Sequence, residues 1–134
     1  LNNASNLAAL ALAASVDSAL GIAFQKKISA PPVNLGNLGA TPALDFSTGN
    51  NFYGTANANF TLPFPTNLSA GQAGSIEITQ DGTGSRTITY ASGWLFPGGT
   101  RPALSTAAGS IDVISYFVRP GATQIEATIN KAFA

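Results

Sequence analysis

The chain has 134 residues, a length that suits one domain, and it contains neither cysteine nor histidine. Those two absences exclude thiol chemistry, histidine acid–base chemistry and the ordinary zinc sites. Six basic residues balance six acidic ones at a charged fraction of only 9%, against about 25% in an ordinary soluble domain. No basic stripe is available to displace counterions from a phosphate backbone, so nucleic acid is not an expected partner. A net charge of zero also leaves little repulsion between copies, which suits a protein whose working state is an assembly.

Residues 5–20 read as a helix, because alanine and leucine dominate them and are among the strongest helix formers. Ser5 or Asn6 can cap its start and Gly21 can end it. Leu12, Val16 and Leu20 recur at spacing four, while Leu7 and Leu10 extend apolarity to a neighbouring face. About four turns of helix are marginal alone. A helix apolar on more than one side is expected to be buried on more than one side, so these five residues form a candidate assembly helix. Ser15, Asp17 and Ser18 interrupt the apolar stretch 7–24, and no basic flank precedes it. Neither a signal peptide nor membrane insertion is therefore expected. A chain that opens on Leu1 is expected to have been preceded by further residues.

Ile22–Ile28 suits a short strand or a continued helix, and periodicity does not choose between them. Pro31-Pro32 then breaks regular structure. With Gly36, Gly39 and Pro42 following, the next stretch reads as an extended tether. The expected division is a helix and connector over 1–40 and a β-domain over 41–134. Strands are expected at 43–48, 52–62, 74–80, 86–91, 111–118 and 123–130, with a weaker one at 94–96. Two alternating segments flank Asp81-Gly82-Thr83-Gly84-Ser85, a pattern that predicts a hairpin with an exposed end. Ile111–Val118 is apolar on both faces, which predicts a strand covered on both sides or by a neighbouring subunit. The fold class expected is mainly β: an antiparallel, jelly-roll-like β-sandwich preceded by a short helix and tether. Its expected core holds Phe46, Phe60, Leu62, Ile76, Ile78, Ile88, Val113, Ile125 and Ile129.

In order along the chain come Leu44-Asp-Phe-Ser-Thr-Gly-Asn50, Thr79-Gln-Asp-Gly82, Thr87-Ile-Thr-Tyr90, Trp94-Leu-Phe-Pro-Gly-Gly-Thr-Arg-Pro102 and Ala108-Gly-Ser-Ile-Asp-Val-Ile114. Together they resemble a β-domain found toward the C-termini of tailed-bacteriophage fibre and minor tail proteins and of related virion appendages. The resemblance covers residues 43–134. It implies a structural virion protein, a homotrimer touching other virion proteins, with a distal surface that can meet a host glycan. It carries over no catalytic set and no cofactor. What it does carry over is structural: Asp45, Gly49, Trp94, Pro97, Gly98, Gly99, Pro102, Gly109 and Asp112.

Each candidate site has a bland reading beside it. Trp94, with Tyr53 and Tyr116 as companions, is a candidate glycan or interface contact, and a lone tryptophan beside Phe96 equally suits a core anchor. Glu77 and Glu126 would have to lie within roughly 5–9.5 Å to serve as a hydrolytic pair; solvated sheet-face acids are the simpler reading. Asp45 and Asp112 sit in apolar strands, where hydrogen bonds to loop N–H groups or pairing with Arg101 or Arg119 are expected. Asp81 reads as a turn residue bonding its own backbone. Pro97-Gly98-Gly99-Thr100 lacks the lysine and the helix of a phosphate loop. No metal site is expected, since the spacing of a calcium loop is missing. The competing functions are a virion structural component and a carbohydrate-binding receptor-recognition module.

Overall fold

The computed structural model describes residues 29–134. The candidate assembly helix with Leu7, Leu10, Leu12, Val16 and Leu20, and the undecided segment 22–28, lie outside the described residues. Pro31–Ala134 form one compact unit. Its strands are β1 (Val33–Asn37), β2 (Asn51–Ala56), β3 (Phe60–Leu62), β4 (Ala73–Gln80), β5 (Ile88–Tyr90), β6 (Trp94–Leu95), β7 (Ile111–Val118) and β8 (Ile125–Phe133), with a 3-10 turn at Pro97–Gly99.

The fold is mainly β. Six strands make one mixed sheet in the order β1-β2-β4-β7-β8-β6, and β3 pairs with β5 in a second, two-stranded sheet. β7 is antiparallel to β4 and β8, but β1, β2 and β4 run parallel, as do β8 with β6 and β3 with β5. The expected antiparallel pairing is thereby corrected. Its physical reason is the route of the chain. Leaving β2, it crosses to the second sheet, forms β3, and returns to enter β4 in the original direction, as a parallel pairing requires. One buried apolar cluster joins side chains of both sheets, among them Ile76, Ile78 and Ile114 with Phe60, Leu62 and Tyr90.

The predicted hairpin does not form, because β4 pairs with β2 and β7 while β5 pairs with β3. Gln80 explains the divergence. Its buried amide donates to the carbonyls of Arg86 (2.9 Å) and Ser105 (2.8 Å), and its Oε1 accepts the Arg86 N–H at 2.9 Å. A side chain thus occupies the backbone groups that a hairpin ladder would use, and the strand is sent to the other layer. Asp81 does act as the turn residue, accepting the N–H groups of Thr83 and Gly84 at 3.0 and 2.9 Å. The turn is not a free tip, however. Gly84 is buried with φ +71°, and a Cβ there would lie 2.6 Å from the Thr106 carbonyl oxygen.

Other boundaries move for similar reasons. The single strand expected over 52–62 splits into β2 and β3, since Asn57 and Asn59 turn aside to accept the Gly39 and Thr87 N–H groups. In place of a strand at 43–48 there is one bridge, Asp45 to Thr66, and a turn built on Asp45. β1 lies inside the stretch read as a tether, where its glycines hide the alternation of Val33 and Leu35.

Of the expected core, Phe46, Phe60, Leu62, Ile76, Ile78, Ile88 and Ile125 are buried, and Ile129 is half-buried against the cluster. Val113 is a correction: β7 buries Asp112, Ile114, Tyr116 and Val118, so Val113 faces outward with Ile111 and Phe117. Trp94 is 2% exposed and donates its Nε1–H to the Pro63 carbonyl at 3.0 Å. Phe46 stacks between Phe52 and Tyr116 at centroid distances of 5.4 and 4.6 Å.

Candidate functional site: the open face of the main sheet

The face of the main sheet turned away from the core is defined by register, since paired residues in adjacent strands share a face. One row across it reads Tyr53, Glu77, Val113, Asn130. A second reads Thr79, Ile111, Phe133, and a third Ala73, Phe117, Glu126, Leu95. The large hydrophobic side chains exposed among the described residues are Tyr53 (39%), Phe117 (43%) and Phe133 (51%). All three stand in these rows, with half-buried Ile111, Val113 and Leu95 beside them.

Two shallow clefts lie on this face. A cleft of about 580 Å³ has Leu95, Pro97, Phe117, Ser115, Glu126 and Thr128 in its lining. Another of about 500 Å³ is lined by Pro32, Asn51, Tyr53, Ser75 and Glu77 among others. Charge on the face is sparse. Glu126 is paired with Arg119 at 3.3 Å. Glu77, in the middle row, has no ion pair or hydrogen bond within the described residues.

The structure does not bring Trp94, Tyr53 and Tyr116 together as an exposed set. Trp94 and Tyr116 are buried, and the Tyr116 hydroxyl donates to the Asn50 carbonyl at 2.6 Å. Burial pushes the Tyr116 phenol up to about 12. Tyr53 is exposed, but the other exposed rings on its face, Phe117 two strands over and four residues along and Phe133 three strands over and two residues along, are each roughly 16 Å away at ordinary sheet spacings. Glu77 and Glu126 are likewise separated by β7 and four residues, again roughly 16 Å, which is too far for a pair of hydrolytic carboxylates.

The remaining acids are held locally. Asp112, 2% exposed, accepts the Ser105 N–H (2.6 Å), the Ser105 hydroxyl (2.7 Å) and the Ala132 N–H (2.8 Å). Asp45 accepts from Asn67 and from the N–H and hydroxyl of Ser47, and these bonds, that of Asn67 foremost, hold its carboxyl below the usual range. Neither acid pairs with Arg101 or Arg119. Arg101 donates to the Tyr90 carbonyl instead. The Arg86 guanidinium, 2.7 Å from Asp81, likewise holds that carboxyl below the usual range. Among the described residues no three His, Cys, Asp or Glu side chains cluster as a metal site, and no helix is long and apolar enough to cross a membrane.

Sequence reasoning missed Phe117 and Phe133 as surface residues. The signal for Phe117 was the doubly apolar pattern of 111–118, which left the phase of the strand open. Phe133 lies beyond the expected strand end, past a register shift in which Ala132 takes φ +58°. Comparison with protein-family models, curated proteins and solved structures finds no match for this chain.

Proposed function

We propose that this chain is a non-enzymatic structural component of a phage or phage-like virion appendage (fibre, spike or baseplate) and that it works as a homo-oligomer. The observation that carries this reading is the open sheet face, where every large hydrophobic side chain exposed among the described residues is gathered. A face of that kind marks an interaction surface, and the sparse charge of the chain suits close association. The ordered motifs between Leu44 and Ile114 supply the virion context by resemblance. The two layers, joined by one apolar cluster, are read as a jelly-roll-like sandwich of the kind those appendages display. The wide separation of Glu77 from Glu126 supports a structural role over a hydrolytic one. Sedimentation velocity and native mass of the purified full chain test the reading. An oligomer of defined copy number at micromolar concentration is the expected result, and a monomer across that range would overturn it.

A further inference from the structure

We infer that Asp81-Gly82 is a latent isoaspartate site, which the folded turn holds closed through Arg86 and which reacts when that turn opens. Asp81 is the one Asp or Asn residue of the chain followed directly by glycine. Glycine has no Cβ to shield its amide nitrogen from the preceding side chain. Gly82 is exposed, and a Cβ built on it would meet nothing within 4 Å. Its N–H donates no hydrogen bond within the described residues. Nucleophile and solvent are therefore both in place beside the Asp81 carboxyl.

The reaction needs no reagent but water. The Gly82 nitrogen bonds to Cγ of Asp81 and gives up its proton. One carboxyl oxygen leaves as water, taking that proton and a second from solvent, and the product is a cyclic succinimide. Water then reopens the ring. Addition at Cγ restores aspartate. Addition at the main-chain carbonyl breaks its bond to the Gly82 nitrogen and leaves the chain running through Cγ, with a free α-carboxylate. Atoms balance over the two steps, nothing is oxidised or reduced, and the backbone path has gained one methylene between residues 81 and 82.

In the folded turn each requirement of ring closure is opposed. Attack demands a neutral carboxyl that is free to bring Cγ over the Gly82 nitrogen. Instead, Oδ1 accepts the Thr83 and Gly84 N–H groups at 3.0 and 2.9 Å, and Oδ2 accepts Nε and Nη2 of Arg86 at 3.0 and 2.7 Å. Bonds to a charged donor are the strong ones, and here they keep the carboxylate ionised and fix its torsion. The backbone is pinned on both sides of the turn: the Asp81 N–H donates to the Ala56 carbonyl at 3.2 Å and the Ser85 N–H to the Thr106 carbonyl at 2.7 Å. Arg86 is anchored in turn by Gln80, whose side chain engages both its N–H and its carbonyl. A turn that has opened and reacted is one methylene too long to remake these contacts, so the site records opening.

The test incubates the full chain at neutral pH, digests it, and measures isoaspartate at position 81 by methyl uptake from an isoaspartyl methyltransferase, located by mass spectrometry. The folded parent should accumulate it roughly 30-fold or more slowly than the same chain held unfolded in urea, since several charge-assisted bonds act together. Arg86→Gln, shown to be folded by its far-ultraviolet spectrum, should react about tenfold or more faster than the folded parent, the factor carried by one charge-assisted bond. Arg86→Lys, which loses the two-nitrogen grip, repeats the measurement if the glutamine variant does not fold. Asp81→Glu should abolish the signal at this position. Val118→Ala separates the clamp from general loss of stability, because Val118 is fully buried and touches none of the Asp81 bonds; it should keep the parent rate. Equal rates in the folded and unfolded parent overturn the inference. So does a folded Arg86→Gln at the parent rate, or a Val118→Ala rate that matches it.

Discussion

Replacing Asp112 with alanine should be among the most destabilising single changes to the β-domain. The carboxylate is buried without a cation, and it receives three donors: the Ser105 N–H, the Ser105 hydroxyl and the Ala132 N–H. It ties the loop before β7 to the distal end of β8. Each hydrogen bond to a charged acceptor contributes about 1.5–3 kcal/mol, and a buried donor left unpaired costs about 1–3 kcal/mol. Removing the carboxylate also relieves its own desolvation. The net loss for Asp112→Ala should therefore be about 3–5 kcal/mol, a large share of the ~5–15 kcal/mol that holds a domain together. Asparagine keeps one acceptor oxygen and should lose about 1–2 kcal/mol. Urea unfolding at neutral pH measures both. With a slope near 1.5 kcal/mol/M, the alanine variant should unfold about 2–3 M earlier. Amide exchange at Ala132 should quicken in step as the end of β8 frays. Tyr90 gives an independent readout. Burial chiefly, and then the negative charge of Asp112, holds its phenol above the usual range, so Asp112→Asn should bring its titration down. A loss below about 1 kcal/mol for alanine, or equal losses for alanine and asparagine, would refute the argument that three donors depend on this one group.

Three further outcomes are expected. Gly74→Ala should be severely destabilising, because a Cβ there would lie 1.8 Å from the Asn50 carbonyl oxygen; a melting temperature within a few degrees of the parent would show that β4 can shift to admit it. Gly84→Val should cost far more than Gly82→Val, since only at Gly84 would a Cβ meet backbone at 2.6 Å and a positive φ be required, and equal melting temperatures would contradict this. Stability should fall as pH rises above 10, because Tyr116 has a folded value near 12 against an ordinary 10.0. A raised phenol contributes stability that is complete below the unfolded value and is lost through the folded one, at up to about 1.4 kcal/mol per pH unit. Denaturant titrations of the parent and of Tyr116→Phe at pH 9 to 12 check the sign, and a parent curve flat with pH would refute it.

The sequence by itself determined the β class, the strands β4 and β7, and seven of the nine expected core residues, because period-two alternation is a local property of the chain. It also determined that Asp81 turns on its own backbone, and it offered loop N–H groups as hydrogen-bond donors to Asp45 and Asp112 while leaving pairing with Arg101 or Arg119 open. Only the tertiary structure decided which strands meet. The Gln80 amide reaches the carbonyls of residues 86 and 105, and no local pattern announces that a side chain will replace a hairpin ladder. Tertiary structure also chose the phase of β7. Its two faces are both apolar apart from Asp112 and Ser115, and the donors of Ser105 and Ala132 hold Asp112 inward. That choice puts Val113 and Phe117 on the outside. The candidate site exists because strands distant in sequence place their outward residues in common rows, and such rows are a property of register, which depends on non-local partners and is therefore settled only when the sheet forms.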